Sequence, residues 1–144
     1  MIEVRGNLWD YPADVRVITT NGTVKKNGEC VMGRGCALEA KIKWPNLAED
    51  LGGSISEYGN RPHVFHPEIG VSIVSFPVKH NWYEKADPIL IRDSAYLLNC
   101  MTFLDGFKVV VLPRPGCGNG GLKWDVVRKA IAPLLDDRFH VITF

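Results

Sequence analysis

The 144-residue sequence lacks an excess of either charge, long apolar runs and paired cysteines. Its 17 basic and 16 acidic side chains leave a net charge of +1. This balance argues against a protein that coats nucleic acid or binds anionic membrane surfaces, since both need an excess of positive charge. No segment reaches the roughly 20 apolar residues that span a bilayer, and the N-terminal residues do not have a secretory signal pattern. We therefore expect no membrane association and a cytoplasmic location.

The sequence also lacks cysteines and histidines at the spacing of a metal site. Its four cysteines form no CxxC pair and are too sparse for a disulfide framework, so we expect a reducing compartment. His63 and His66 are three residues apart on a predicted strand, where they face opposite sides and cannot share one ion. The sequence therefore predicts no metal site and no cofactor.

What is present is an alternation of strands and helices. Apolar and β-branched runs predict strands at 2–5, 14–20, 64–66, 71–77, 108–112 and 140–144. Helical spacing predicts helices at 36–44, 47–58 (interrupted at Gly52-Gly53), 88–105 and 124–135. No linker or repeat divides the chain, so residues 1–144 are predicted to form one α/β domain with an at least partly parallel sheet.

Two glycine-rich loops follow predicted strands and precede predicted helices. The first loop begins at Asn21 and ends in Gly33-Arg34-Gly35, and the late loop covers 113–121 with the sequence PRPGCGNGG. Such loops let backbone N–H groups approach an anion closely, and ligands of open α/β sheets bind beyond the carboxyl ends of the strands. The pattern predicts that the two loops clamp a diphosphate, the alternative being turns that need only flexibility.

Five segments resemble the macro domain family, in order and over nearly the whole chain. They are GNLWDY (6–11), ITTN (18–21), VMGRGCA (31–37), FPVKHNW (76–82) and LPRPGCGNGGLKW (112–124). The last segment is similar to the branch that contains the terminal ADP-ribose glycohydrolases and the DarG-type macro domains, which remove ADP-ribose from DNA thymidine. The resemblance implies a three-layer α/β/α sandwich around a mixed, partly parallel sheet, with ADP-ribose in a cleft across its top.

The resemblance also implies which residues contact ADP-ribose. Asn7 stands where many macro domains have an aspartate that accepts from the adenine amino group, and Leu8 offers its backbone amide nearby. Asn21, preceded by Thr20, matches an asparagine beside the distal ribose. The two loops supply the other candidates, which are Met32, Gly33, Arg34 and Gly35 on one side of the diphosphate and Pro115, Gly116, Cys117, Gly118, Asn119, Gly120 and Gly121 on the other.

Lys79 is the candidate catalytic residue, since the similar glycohydrolases use a lysine at this strand end to engage the anomeric carbon of the distal ribose. A partly desolvated lysine can act as a nucleophile, whereas a solvated strand-end lysine is the alternative interpretation. Some relatives have a late-loop aspartate that completes turnover, and this sequence has Asn119-Gly120-Gly121 there. Asp125 is expected in the first turn of the following helix and is assigned no catalytic role.

Three other side chains near these loops have two interpretations each. Cys117 is either a thiol with a lowered pKa near amide dipoles or a small residue packed under the late loop, and we favour packing. Trp82 and Tyr83 either rim the cleft and stack on a base, or cover the helix that begins near Pro88.

The resulting hypothesis is a hydrolase of the ADP-ribosyl glycohydrolase type that removes ADP-ribose from a modified target through Lys79. The preferred target is a nucleic-acid base, so single-stranded DNA is a candidate partner, and ADP-ribose is a ligand or product. We expect the chain to act as a monomer. The alternatives are a phosphatase for ADP-ribose 1''-phosphate and a module that binds ADP-ribose-derived ligands without turnover.

Overall fold

The computed structural model describes residues 1–144 and contains six strands and four helices. The strands are β1 (Ile2–Arg5), β2 (Val15–Asn21), β3 (Val64–Phe65), β4 (Ile73–Lys79), β5 (Val110–Pro113) and β6 (Phe139–Thr143). The helices are α1 (Gly35–Lys43), α2 (Leu47–Tyr58), α3 (Pro88–Asp105) and α4 (Trp124–Ile131), with a 3₁₀ turn over Ala132–Leu134. No helix is both long enough and apolar enough to cross a membrane.

The strands form one sheet in the order β1-β6-β5-β2-β4-β3. All neighbouring strands are parallel except β3, which pairs antiparallel with β4. The predicted mixed, partly parallel sheet is therefore confirmed. Parallel pairing brings the carboxyl ends of the strands to one edge: Asn21 lies opposite Lys79, and Pro113 lies opposite Ile142.

The two faces of the sheet bury separate apolar cores. Val17 of β2 packs into the core that contains residues of α3 and α4. Its neighbour Ile18 belongs to the second core, with residues of α1 and α2. Consecutive residues of a strand point to opposite faces, so β2 is buried on both sides, as its apolar sequence predicts. The three-layer α/β/α sandwich is confirmed.

Several predicted boundaries are shifted. Strand β4 extends two residues beyond the predicted end, so Lys79 is the last residue of the strand. The last helix ends at Ile131 instead of continuing to Leu135, because Pro133 has no N–H to continue the hydrogen-bond ladder. The predicted interruption at Gly52-Gly53 is wrong, since α2 is continuous from Leu47 to Tyr58.

Gly52 has a packing role that the sequence does not reveal. A Cβ at Gly52 would lie 1.9 Å from the Gly28 carbonyl oxygen and 2.9 Å from the Cys30 nitrogen. Cys30 N–H donates to the Ala48 carbonyl oxygen (2.8 Å), so the first loop is docked directly on the backbone of α2. Only glycine permits this approach, whereas Gly53 is exposed with nothing within 4 Å of an added Cβ.

We predict opposite effects for the two glycines of α2. Gly52→Ala should lower the free energy of unfolding by about 2 kcal/mol or more, because the methyl group overlaps backbone atoms that cannot yield. Gly53→Ala is the matched control and should raise it by roughly 0.5–1 kcal/mol through helix propensity. Urea unfolding measures both, and equal stability of the two variants would contradict the docking of the loop on α2.

Candidate functional site

A cleft of about 700 Å³ lies at the carboxyl edge of the sheet. It is bounded by the turn after β1, by the two glycine-rich loops, and by the ends of the central strands. Most residues predicted for the site line it, namely Asn7, Leu8, Thr20, Asn21, Met32, Gly33, Arg34, Gly35, Lys79, Gly116, Gly118, Asn119 and Gly120. The structure therefore brings together segments that are far apart in the chain, and their contacts with a ligand stay predictions.

One wall of the cleft is the uncapped N-terminus of α1. Arg34 occupies the N-cap position with an extended backbone, and its side chain makes no hydrogen bond to the first turn. The N–H groups of Gly35, Cys36 and Ala37 consequently have no partner within the helix. Since all three residues line the cleft, free donors and the positive end of the helix dipole are present there.

The opposite wall is the late loop, whose backbone also has free donors. The N–H groups of Gly118, Asn119 and Gly120 donate to no group of the protein. The loop approaches α1 closely, since a Cβ added to Gly35 would lie 3.8 Å from Asn119 Nδ2. The two walls therefore present backbone donors to the same space, an arrangement that suits an anion with several oxygens.

The glycines of the late loop differ in their roles. At Gly116 (φ +75°) an added Cβ would lie 2.7 Å from Ile91 Cδ1, and at Gly120 it would lie 2.5 Å from the Gly116 carbonyl oxygen. These two glycines allow the loop to pack on itself and on α3. Gly118 has nothing within 4 Å of an added Cβ and borders the open cleft, so its lack of a side chain leaves space for a ligand.

Three residues predicted for the site do not line the cleft. Pro115 is buried, and Gly121 is exposed beside the side chain of Lys85. Cys117 packs against the core on the α3–α4 side, and burial raises the pKa of its thiol. The interpretation of Cys117 as a small packed residue therefore agrees with the structure, and the direction of the pKa shift does not favour the alternative of an activated thiol.

The turn after β1 is held by its own hydrogen bonds. Asn7 Oδ1, predicted to accept from adenine, accepts from the Trp9 N–H (2.8 Å). Arg16 of β2 donates to the carbonyl oxygens of Leu8 (3.1 Å) and Tyr11. The Leu8 N–H has no protein partner and Leu8 lines the cleft, and its contact with a ligand stays a prediction.

Asn21 also has an internal role that sequence analysis missed. Its Nδ2 donates to the Val31 carbonyl oxygen (2.9 Å), and its Oδ1 accepts from the Thr23 N–H (2.9 Å). The side chain thereby joins the start of the first loop to its end. Beside any contact with a ribose, Asn21 holds the loop that leads into α1.

Lys79 lines the cleft at the end of β4, where its Nζ donates to the Trp82 carbonyl oxygen (3.3 Å). The segment after it is fixed by Thr23, whose hydroxyl accepts from the Trp82 N–H (3.0 Å) and donates to Asn81 Oδ1 (3.3 Å). At the far end, His80 Nε2 and Asp87 Oδ2 lie 2.8 Å apart. The strand end that presents the lysine is thus ordered by long-range hydrogen bonds.

Charged side chains in the cleft are mainly basic. Arg34, Lys79 and Arg114 line it, and the only acidic side chain in the lining is Glu39, which accepts from Trp9 Nε1 (3.1 Å). Sequence analysis did not select Arg114, which lies with its guanidinium 5.0 Å from the centre of the Trp124 ring. An arginine directly after a strand and inside a glycine-rich loop is the signal that could have selected it.

The two aromatic residues after Lys79 are both exposed. Trp82 lines the cleft and Tyr83 does not, so the interpretation as a rim residue agrees with the structure for Trp82. The interpretation of the pair as a cover for α3 stays a hypothesis. Asp125 lies in the first turn of α4, as expected, and outside the cleft lining.

Comparison with known proteins identifies the family. The chain is 32% identical over 143 residues to a DNA ADP-ribosyl glycohydrolase of Thermus aquaticus, covering 92% of this chain and 37% of that protein. It therefore spans little more than a third of the length of this curated relative. No family model matches the chain.

Solved structures give the same result. The macrodomain of Mycobacterium tuberculosis DarG is 25% identical with a TM-score of 0.83, covering 98% of this chain and 95% of that one. The macrodomain of Thermus aquaticus DarG is 26% identical with a TM-score of 0.83, covering 99% and 96%. Thermosipho africanus DarTG, solved in complex with ADP-ribose, matches in fold with a TM-score of 0.81 and 18% identity, covering 98% of this chain and 41% of that one.

The α/β/α fold and the cleft lined by backbone amides at the carboxyl edge define this chain as a macro domain. Within that family it belongs to the DarG type.

The pair His80–Asp87 allows a prediction about pH. The hydrogen bond from His80, and after it the bond from the Ile89 N–H, lower the pKa of the Asp87 carboxyl. Because the folded-state pKa is lowered, the stabilisation is complete above the unfolded pKa of about 3.9 and is lost as pH falls through the folded value. Asp87→Asn should therefore be less stable than the parent at pH 6. The difference in stability should disappear as the pH falls through the folded-state pKa of Asp87.

Thermal unfolding between pH 6 and pH 2.5 measures this difference. Asparagine keeps an acceptor for the Ile89 N–H at the start of α3, so the substitution removes the charge and the oxygen that contacts His80. Asp93→Asn, at an exposed position of the same helix, is the control for the change in net charge. A difference between Asp87→Asn and the parent that persists unchanged at pH 2.5 would show that the charge of Asp87 is not its cause.

Proposed function

We propose that this chain binds ADP-ribose and hydrolyses the bond between ADP-ribose and a modified base of DNA. The observation that carries the proposal is the pair of walls with free backbone N–H groups, at the start of α1 and in the late loop, on either side of one cleft. A diphosphate has the charge and the number of oxygens that such donors satisfy. Arg34 and Arg114 add positive charge on the same two sides.

The comparisons support the same activity. The curated relative is a DNA ADP-ribosyl glycohydrolase, and the Thermosipho africanus protein was solved with ADP-ribose. This chain spans little more than a third of that relative. We therefore propose the activity and the DNA substrate for this chain, and we also propose that it acts as a monomer. The lining of the cleft includes both the β1 turn and the end of β4, the two places at which the adenine and the distal ribose are proposed to lie.

Lys79 is proposed as the nucleophile. After its amine loses a proton, Nζ bonds to the anomeric carbon of the distal ribose, and the bond to the base breaks, so that the base leaves with the electron pair and takes up a proton. The ring oxygen then takes the remaining amine proton as the sugar opens to an imine, and water adds to the imine and releases ADP-ribose. The 3.3 Å bond from Nζ to the Trp82 carbonyl oxygen is long, so the amine can leave it for the substrate.

Lys79→Ala should lower the rate of release of ADP-ribose from a thymidine-modified oligonucleotide by about 100-fold or more, because the attacking amine is absent. Its affinity for ADP-ribose, measured by calorimetry, should stay within about three-fold, since the backbone donors are unchanged. Lys79→Arg is the control that keeps the positive charge without a nucleophilic amine. Release by Lys79→Arg at the parental rate would exclude Lys79 as the nucleophile.

Gly118→Val tests the diphosphate position. The valine side chain would enter open cleft space without meeting protein atoms, so the variant should fold with unchanged thermal stability. It should lose detectable calorimetric binding of ADP-ribose, because the side chain occupies the space beside the free N–H groups. Gly53→Ala, which is remote in α2, should bind normally, and normal binding by Gly118→Val would show that the late loop does not hold the diphosphate.

Binding without turnover is the second candidate, and one observation favours it. Glu39 is the only acidic side chain in the cleft lining and is already bound to Trp9. The late loop has Asn119 and no carboxylate, so the cleft lining offers no unengaged acidic side chain to activate water. Micromolar affinity for ADP-ribose with no release from a modified oligonucleotide would establish this function.

A further inference from the structure

Two aromatic rings stand exposed at the mouth of the cleft. The side chain of Trp82 is 51% exposed and that of Tyr83 is 69% exposed, with ring centroids 5.7 Å apart and ring planes at 90°. Neither the indole N–H nor the phenolic hydroxyl has a hydrogen-bond partner in the protein. Large aromatic faces that are left to solvent beside a binding cleft are the surfaces on which unpaired bases stack.

The backbone that carries these rings is already ordered. Trp82 donates from its N–H to Thr23 Oγ1 (3.0 Å), a bond that does not involve the candidate nucleophile. Glu84 N–H donates to the Asn81 carbonyl oxygen (3.1 Å), and Asn81 Nδ2 donates to Glu84 Oε1 (2.8 Å). A ligand that stacks here would not have to order the loop first, which reduces the entropic cost of binding.

The rings also lie where the rest of the substrate must leave the cleft. Lys79 is the residue proposed to attack the anomeric carbon, and its Nζ lies 3.3 Å from the Trp82 carbonyl oxygen, so the linked base would lie close to Trp82. Tyr83 follows Trp82 and does not line the cleft itself. Tyr83 is therefore placed for the neighbouring base of the strand, outside the cleft.

The segment that carries the rings has one exposed cation. Lys85 is exposed, and its side chain passes close to Gly121 of the late loop. The two acids of the segment are hydrogen-bonded, Glu84 to the Asn81 amide and Asp87 to His80, and keep their charges. The feature that favours an unpaired base is therefore the pair of exposed rings, with Lys85 as the cation available to a phosphate.

We propose that Tyr83, together with Trp82, is a stacking platform for an unpaired base that flanks the ADP-ribosylated nucleotide of single-stranded DNA. The inference rests on the proposed function and adds how the enzyme holds the nucleic acid beyond ADP-ribose. In this arrangement the segment between β4 and α3 binds the DNA strand, and the two glycine-rich loops bind ADP-ribose.

Tyr83→Ala tests the platform, with Tyr83→Phe as the matched control that keeps the ring. The substrates are a short single-stranded oligonucleotide with one internal ADP-ribosylated thymidine and the isolated ADP-ribosylated nucleoside. Tyr83→Ala should lower kcat/KM on the oligonucleotide on the order of ten-fold, the effect of losing one base stack, and leave the nucleoside unchanged. Tyr83→Phe should match the parent on both substrates.

A second measurement does not depend on hydrolysis. Fluorescence anisotropy with the same oligonucleotide without ADP-ribose should show binding by the parent protein that Tyr83→Ala weakens on the order of ten-fold. Absence of hydrolysis would overturn the proposed activity. The anisotropy measurement would still test the platform, because it needs no turnover.

Three results would overturn the platform. One is equal activity of Tyr83→Ala and the parent on the oligonucleotide, and another is an equal loss on the nucleoside, which would mean that Tyr83 acts through the shape of the cleft. The third is an equal loss on an ADP-ribosylated protein, since such a substrate has no base to stack.

Discussion

The parallel pairing of β2 with β4 is the constraint on which the site depends. It places Asn21 opposite Lys79, so the first loop and the candidate nucleophile begin from the same edge of the sheet. The register shifts between Thr20 and Asn21, at the last pair before the cleft. Pairing of β5 with β2 and with β6 adds the late loop and the C-terminal strand end to that edge. Without this arrangement the two sets of backbone donors would face different directions.

The cleft is built mainly from backbone groups, and side chains hold that backbone in place. Arg16 fixes the β1 turn, Asn21 closes the first loop, and Thr23 connects this loop to the segment after β4. Each of these polar side chains forms hydrogen bonds with backbone N–H or C=O groups of the loops. Buried backbone outside helices and strands needs such partners. Free donors remain at the start of α1, in the late loop and at Leu8 of the β1 turn.

Much of the fold could be predicted because strand and helix periodicity is local. The apolar runs located every strand to within a few residues, and the glycine-rich loops located most of the cleft. The packing of Gly52 on Gly28 and the hydrogen bonds of Asn21 could not be predicted, because they join segments whose proximity exists only in the folded chain. The Thr23–Asn81 bond, between residues 58 positions apart, is a further example.

Asn7 has a structural role beside the one implied by the resemblance. Its oxygen accepts from the Trp9 N–H two residues on, a local turn that asparagine favours, and a second lone pair is left for a ligand. Arg114 carried a local signal, an arginine directly after a strand in a glycine-rich loop, whereas its contact with the Trp124 ring exists only in the folded chain.

The reliance of the cleft on main-chain donors has a consequence for inhibition and for escape from it. A compound that mimics a diphosphate would engage the N–H groups of Gly118, Asn119 and Gly120, and every residue except proline carries this group. Substitution of side chains therefore cannot remove these contacts, and can only obstruct them, which would exclude the natural ligand as well. Resistance would have to arise at the rim, where side chains and not the backbone form the surface.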